Sequence, residues 1–309
     1  MMTYIYSVAT LAALDALLAY LAGESHVRAA AALALRDLIT APGPAAGSCV
    51  ADTLDMNDKK RVMLAAQLLL SDPLEHIRKT GVEILHPMTP SGVPSVFSQV
   101  LTMLKEIVRS KGSGAELRQA AVNALHKLCG PLRGDPRCLS VAEEVVQVLG
   151  DKHERAEGVK VCCIRLLADI CPKASSVALR GFNCALRDTS KKVRESALRN
   201  AFRICGAAEQ TTHPQKHDAM VTIVTLMLRD TQPSLRYHAM KALKEMMEEG
   251  TGTNSRGLVD AVLTGLKDSN AHVREAAFET MLHVFSAEDV EALNSGDGGM
   301  LQDLRGQKF

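Results

Sequence analysis

Residues 188–205 read DTSKKVRESALRNAFRIC, and this stretch decides the fold. Asp188 opens a polar turn, Val193-Arg194 follows, and the next apolar side chains fall at Ala197, Leu198, Ala201 and Ile204. That three-to-four spacing is the period of an α-helix with one buried face. The same signature, an Asp, five residues, then an Arg preceded by an aliphatic side chain, occurs three more times. The copies are Asp72–Arg78 (DPLEHIR), Asp230–Arg236 (DTQPSLR) and Asp268–Arg274 (DSNAHVR). Each follows one apolar helical run and opens another, so each marks the turn of a helical hairpin. A motif that recurs at about 40 residues means repeats that bury their apolar faces on one another.

Aligning on the basic residue extends the series to seven units. They are Val27-Arg28, Ile77-Arg78, Leu117-Arg118, Val159-Lys160, Val193-Arg194, Leu235-Arg236 and Val273-Arg274. Three positions after the base comes a small residue: Ala31, Gly81, Ala121, Cys163, Ala197, Ala239 and Ala277. In all but the first unit a larger apolar residue follows it: Val82, Val122, Ile164, Leu198, Met240 and Phe278, with Ala32 in the first. A small side chain suits a helix crossing, and the larger one fills the groove beside it. Breaker clusters separate the hairpins: Pro42 to Gly47, Pro87 to Pro94, Gly112 to Gly114, Gly130 to Pro136, Gly206 to Pro214 and Gly250 to Gly257. The repeats thus occupy residues 1–286, with basic residues at 28, 78, 118, 160, 194, 236 and 274. Residues 287–309 form a polar C-terminal tail.

Composition fits this picture. Aromatic residues are 3% of the chain and Trp is absent, so Ala, Leu and Val carry the interior. The alternating aromatic pattern of strands is missing. The eight cysteines include no Cys-x-x-Cys pair, and no Asn-x-Ser/Thr acceptor occurs, which fits an intracellular protein, cytoplasmic or nuclear. The apolar stretch from Met1 to Ala22 carries Asp15 and has no basic leader, so it reads as the first outer helix rather than a membrane anchor. Net charge is +1, with no global pull toward nucleic acid or anionic lipid. Locally the balance shifts: residues 1–150 hold 14 basic and 14 acidic side chains, residues 151–205 hold 12 and 6, and residues 206–309 hold 10 and 15.

The Asp-x5-Arg turn followed by the small-then-large apolar pair resembles the HEAT-repeat, armadillo-like family over roughly residues 8–286. The resemblance is to a repeat class and implies an all-α, right-handed α-solenoid of about seven HEAT-type hairpins. It also implies that turn Asp and following Arg form ladders between neighbouring repeats, here Asp72, Arg78, Asp188, Arg194, Asp230, Arg236, Asp268 and Arg274. The Asp could also cap the second helix of its hairpin. The first, third and fourth repeats lack the Asp, and the fourth has Lys160 for Arg and a longer turn from Asp151.

Enzyme signatures are absent. GTGTNSRG at Gly250–Gly257 lacks the spacing of a phosphate loop, and no Gly-x-Ser-x-Gly elbow occurs. HEAT-like deoxyhypusine hydroxylases hold di-iron through several His-Glu pairs, whereas this chain has one, His153-Glu154. His213 and His217 lie four apart, but Pro214 places them in a loop with no third ligand nearby. The reading is therefore no catalytic residues, no metal and no cofactor. In the HEAT architecture the second helix of each hairpin lines a concave face. There the candidate partner-binding positions are Arg165, Lys191, Lys192, Arg199, Asn200, Arg203, Lys241 and Lys244, of which Arg165, Arg199, Arg203 and Lys241 form a basic stripe. The functional reading is a scaffold or adaptor that presents this face to a protein or peptide, within a multi-subunit complex and without membrane insertion. The alternative is a nucleic-acid module using the basic middle repeats, against which stand the acidic last third and the scarcity of stacking aromatics.

Overall fold

The computed structural model describes residues 2–43, 48–89, 94–173, 175–205, 228–248 and 256–284. Among them the secondary structure is helical, apart from one isolated bridge between Pro42 and Cys49. The polar tail at 287–309 and the two loop histidines, His213 and His217, lie outside the described residues.

The chain groups into two compact units, residues 1–144 and 145–309. The first contains α1 (Met2–Tyr20), α2 (Ser25–Thr40), the short α3 (Val50–Thr53), α4 (Met56–Leu70), α5 (Glu75–Met88), α6 (Pro94–Arg109) and α7 (Ala115–Cys129). The boundary falls inside α8 (Pro136–Gly150). The second unit continues with α9 (Glu157–Ile170), α10 (Ser176–Leu186), α11 (Lys191–Arg199), α12 (Ala201–Cys205), α13 (Pro233–Glu248), α14 (Arg256–Leu266) and α15 (Ala271–Val284). Among the described residues, no helix is long and apolar enough to cross a membrane.

Each signature base sits in the first turn of the second helix of its hairpin, here termed the B helix. The B helices pack in a row: α2 on α5 on α7 in the first unit, and α9 on α11 on α13 on α15 in the second. The small residues after each base lie at these crossings. Ala121, Cys163, Ala197, Ala239 and Ala277 are fully buried, and Val82, Val122, Ile164, Leu198 and Met240 fill the space beside them. Phe278 departs from the pattern and is only half-buried. At Gly81 no larger residue fits: a Cβ would stand 3.1 Å from the Ala66 carbonyl oxygen and 3.0 Å from the Leu69 Cβ. The α4–α5 crossing is therefore a backbone-to-backbone approach.

Polar side chains set several helix starts. Asp55 accepts the amides of Asn57 and Asp58 at the head of α4, and Ser175 accepts that of Ala178 at the head of α10. They satisfy donors that the first turn of a helix leaves without partners. The fifth B helix is interrupted at Asn200. Its backbone N–H reaches the Ser196 and Ala197 carbonyls at 3.2 and 3.0 Å, and its side-chain amide donates to the Ser196 carbonyl at 2.8 Å. The Asn200 side chain is therefore buried and donates to its own helix, unlike the exposed bases grouped with it among the candidate positions.

Candidate functional site

Two sets of charged side chains run across the B-helix rows. The first lies at the turns. Arg28 Nε donates to Asp72 Oδ2 at 2.7 Å, and Lys160 Nζ to Asp188 Oδ2 at 2.6 Å. Arg194 Nε stands 3.2 Å from Asp230 Oδ2. Arg236 closes a fork on Asp268, at 2.6 Å from Nε and 2.9 Å from Nη2. In each case the base of one repeat holds the turn Asp of the next.

The same Arg also ties its own turn. Nη1 of Arg78, Arg194, Arg236 and Arg274 donates to the carbonyl of the Asp six residues earlier, at 2.7 to 2.9 Å. The Asp carboxylate is divided as well. Its second oxygen accepts the amide two residues on: Leu74, Ser190, Gln232 and Asn270, at 2.8 to 2.9 Å. Leu74 and Ser190 are themselves the N-cap residues of α5 and α11, so the Asp folds the turn before the helix and is not the cap. One Asp–Arg set thus fixes a turn and joins two repeats. Burial pushes the Asp72 carboxyl up, but Arg28 and the Leu74 amide outweigh it and hold the group below its ordinary range. Asp268 is likewise depressed, with Arg236 and the Asn270 amide overcoming burial.

The ladder stops where the Asp is missing. The third repeat has none, and the acid nearest the Arg78 guanidinium among the described residues is Glu75 of its own helix, at 4.0 Å. Arg118 is buried and turns to the Val108 carbonyl at 2.9 Å. Arg274 Nε is buried with no hydrogen-bond acceptor among the described residues.

The second set lies further along the B helices. In two rungs, counting from the signature base, the residue at +8 of one B helix meets the residue at +5 of the next. Arg36 meets Glu83 at 3.0 Å in the first unit, and Lys244 meets Glu279 at 2.9 Å in the second. In the middle of the second unit the +8 residues are Ala168 and Phe202, and the +5 residues are Arg199 and Lys241. The acid of the rung is replaced by a base, and its cation by an apolar side chain.

The candidate positions divide accordingly. Arg203 pairs with Asp169 on α9, Lys192 with Glu157 at 3.5 Å, and Lys244 with Glu279. Arg199 folds back on Glu195 of its own helix and remains 62% exposed. Arg165, Lys191 and Lys241 are exposed and make no ion pair among the described residues. The sequence reading missed that Glu195 also bridges to His238 Nε2 at 3.0 Å, which ties α11 to α13. Burial lowers the His238 pKa, Arg199 lowers it further, and Glu195 partly opposes them. His238 stands at +2 in its repeat, outside every position that the signature marked.

The first unit's B face differs. There Arg36, Lys79, Glu83, His86, Glu116 and Lys127 line a cavity of about 960 Å³. Its charges are mostly matched, Arg36 with Glu83 and Lys79 with Glu116 at 3.1 Å. Burial, with Lys127 nearby, lowers the His86 pKa. Among the described residues of either unit, no three His, Cys, Asp or Glu side chains converge to hold a metal. His26, His76 and His272, each two residues before a signature Arg, are exposed.

No family model matches the sequence, and no curated protein matches it. Solved structures do share its fold. Kap95p bound to RanGDP superposes with a TM-score of 0.60 at 15% identity, over 94% of this chain and 38% of that one. Kap95 in complex with Nup1 gives 0.59 at 16%, over 95% and 38%. YibA of Escherichia coli gives 0.51 at 15%, over 95% and 92%. The chain therefore spans well under half the length of Kap95. These likenesses concern the fold, a helical-repeat solenoid.

Proposed function

We propose that this chain, which has the fold of the HEAT and armadillo helical-repeat proteins, is a protein-interaction scaffold. It holds a protein or peptide on the B helices of its second unit, inside the cell and as part of a larger complex. The observation that carries this reading is a register of exposed cations on a row of packed helices that no acid of a neighbouring repeat neutralises. Arg165 and Lys241 stand on α9 and α13 without an ion pair among the described residues, and Arg199 lies between them on α11. A repeat stack offers a wide rigid surface for little ordering cost, and cations that the stack does not use are free to specify a partner. The structures of Kap95 with RanGDP and with Nup1 are examples of this fold engaging proteins.

The test is affinity purification of the full chain with identification of retained proteins by mass spectrometry. It is repeated with Arg165→Glu/Arg199→Glu/Lys241→Glu and with Lys60→Glu, an exposed cation on α4, as the control. The reading predicts a partner kept by the wild type and the control and lost by the triple variant. A partner set identical in all three contradicts it.

A further inference from the structure

We propose that the B-helix face of the second unit is built for an extended acidic segment whose carboxylates recur at every third residue. This deepens the scaffold reading and rests on it. The argument starts from register. Arg165, Arg199 and Lys241 occupy the same +5 position on three successive B helices, α9, α11 and α13. Where that position is acidic, as at Glu83 and Glu279, the +8 cation of the preceding repeat neutralises it at 3.0 and 2.9 Å. At Arg199 and Lys241 the +8 residue of the preceding repeat is Ala168 or Phe202, and at Arg165 it is His126, so none of the three has an acid at that position. The substitution is coordinated: base at +5 and apolar residue at +8 change together in two consecutive rungs.

The acids nearest this face are already engaged. Asp169 is held by Arg203, and Glu195 by Arg199 and His238. Phe202, half-buried and under the Lys173 ammonium at 4.8 Å, is the +8 residue of the repeat before Lys241. The face therefore presents three exposed cations at one recurring helix position.

Spacing chooses the partner. Packed helices lie about 8–10 Å apart, so one cation per B helix recurs at about that interval. A polyproline-type strand advances about 3.1 Å per residue with three residues per turn, which returns a side chain to the same face every ~9.3 Å. Asp or Glu at i, i+3 and i+6 of such a strand therefore meets one cation per helix. A single nucleic-acid strand carries its phosphates more closely, and its contacts would not depend on this register.

The experiment measures fluorescence anisotropy of labelled ten-residue peptides in a Pro-rich frame on the full-length chain at low salt. One peptide has Glu at positions 2, 5 and 8, a second has three contiguous Glu, and a third has Gln at 2, 5 and 8. A labelled oligothymidylate of the same length is the fourth probe. The proposal predicts at least tenfold tighter binding of the spaced peptide than of the Gln peptide, several-fold tighter than the contiguous one, and loss by tenfold or more in Arg165→Gln/Arg199→Gln/Lys241→Gln. Circular dichroism of that variant should match the wild type. Equal binding of the spaced and contiguous peptides, stronger binding of the oligothymidylate, or no effect of the triple variant overturns it. If the peptides fail while the charge-reversed chain still loses its captured protein, the scaffold reading stands and the spacing proposal falls.

Discussion

At the turns of the second unit, Lys160, Arg194 and Arg236 each hold the Asp of the following repeat. Five residues further along the same helices, Arg165, Arg199 and Lys241 reach no acid of a neighbouring repeat. The two sets share charge type, helix and repeat register. What separates them is the residue opposite. The turn bases face a half-buried carboxylate already organised by its own backbone, and the face bases have His126, Ala168 or Phe202 at the +8 position of the preceding repeat. The first arrangement holds neighbouring repeats together, and the second leaves cations that no acid of a neighbouring repeat neutralises.

Burying a charge between B helices should have the largest effect. Ala197→Asp or Ala239→Asp places an unpaired carboxylate at a crossing with no exposed surface, and a loss of about 3–5 kcal/mol is expected in denaturant titrations. An unshifted thermal melt in either variant would mean these alanines do not lie at the crossings. Breaking a turn rung comes next. Arg236 and Asp268 side chains are only 12% and 10% exposed, and Asp268→Asn should cost about 2–4 kcal/mol, somewhat less than a fully buried pair. A double-mutant cycle with Arg236→Met should return most of that as coupling, and a coupling near zero would make the ladder ornamental.

Acid should act through the same rungs. The Asp72 and Asp268 carboxyls titrate below their ordinary value of 3.8. Their stabilisation is therefore complete above that value and is lost as pH falls through the depressed folded values. Wild type should lose stability steeply below about pH 4, and Asp268→Asn should lose less over that range. The smallest effect is at His238. Its folded pKa lies below 6.5, so its protonation opposes folding: stability is full above that pH and declines as pH falls through the folded value. His238→Gln should flatten a shallow slope below pH 6.5, and an unchanged slope would place the titration elsewhere.

The stack was legible because its cause is periodic. Apolar spacing, the small residue three after each base and the Asp six before it all follow from neighbouring hairpins shielding one another. Arg28 and Lys160, though their own turns lack the Asp, take their places in the ladder because the next repeat supplies it. The face was legible only in part. Sequence identified exposed bases, but whether each is compensated depends on which residue of the neighbouring helix lies opposite. Lys244 and Arg203 looked equivalent to Arg165, yet Glu279 and Asp169 engage them. Asn200 looked outward by periodicity, and the break between α11 and α12 turned it inward. The +8 to +5 relation that sorts these cases was present in the sequence, but its meaning required the packing of B helix on B helix.

The measurement that tests this division most directly is equilibrium unfolding in urea, followed by far-ultraviolet circular dichroism. It compares Arg194→Gln/Arg236→Gln with Arg165→Gln/Arg199→Gln/Lys241→Gln. Removal of the two turn bases should lower unfolding free energy by about 3 kcal/mol or more, and removal of the three face bases should leave it within about 0.5 kcal/mol of wild type. Equal losses in the two variants would contradict the account, because the face cations would then belong to the stack and not to a partner.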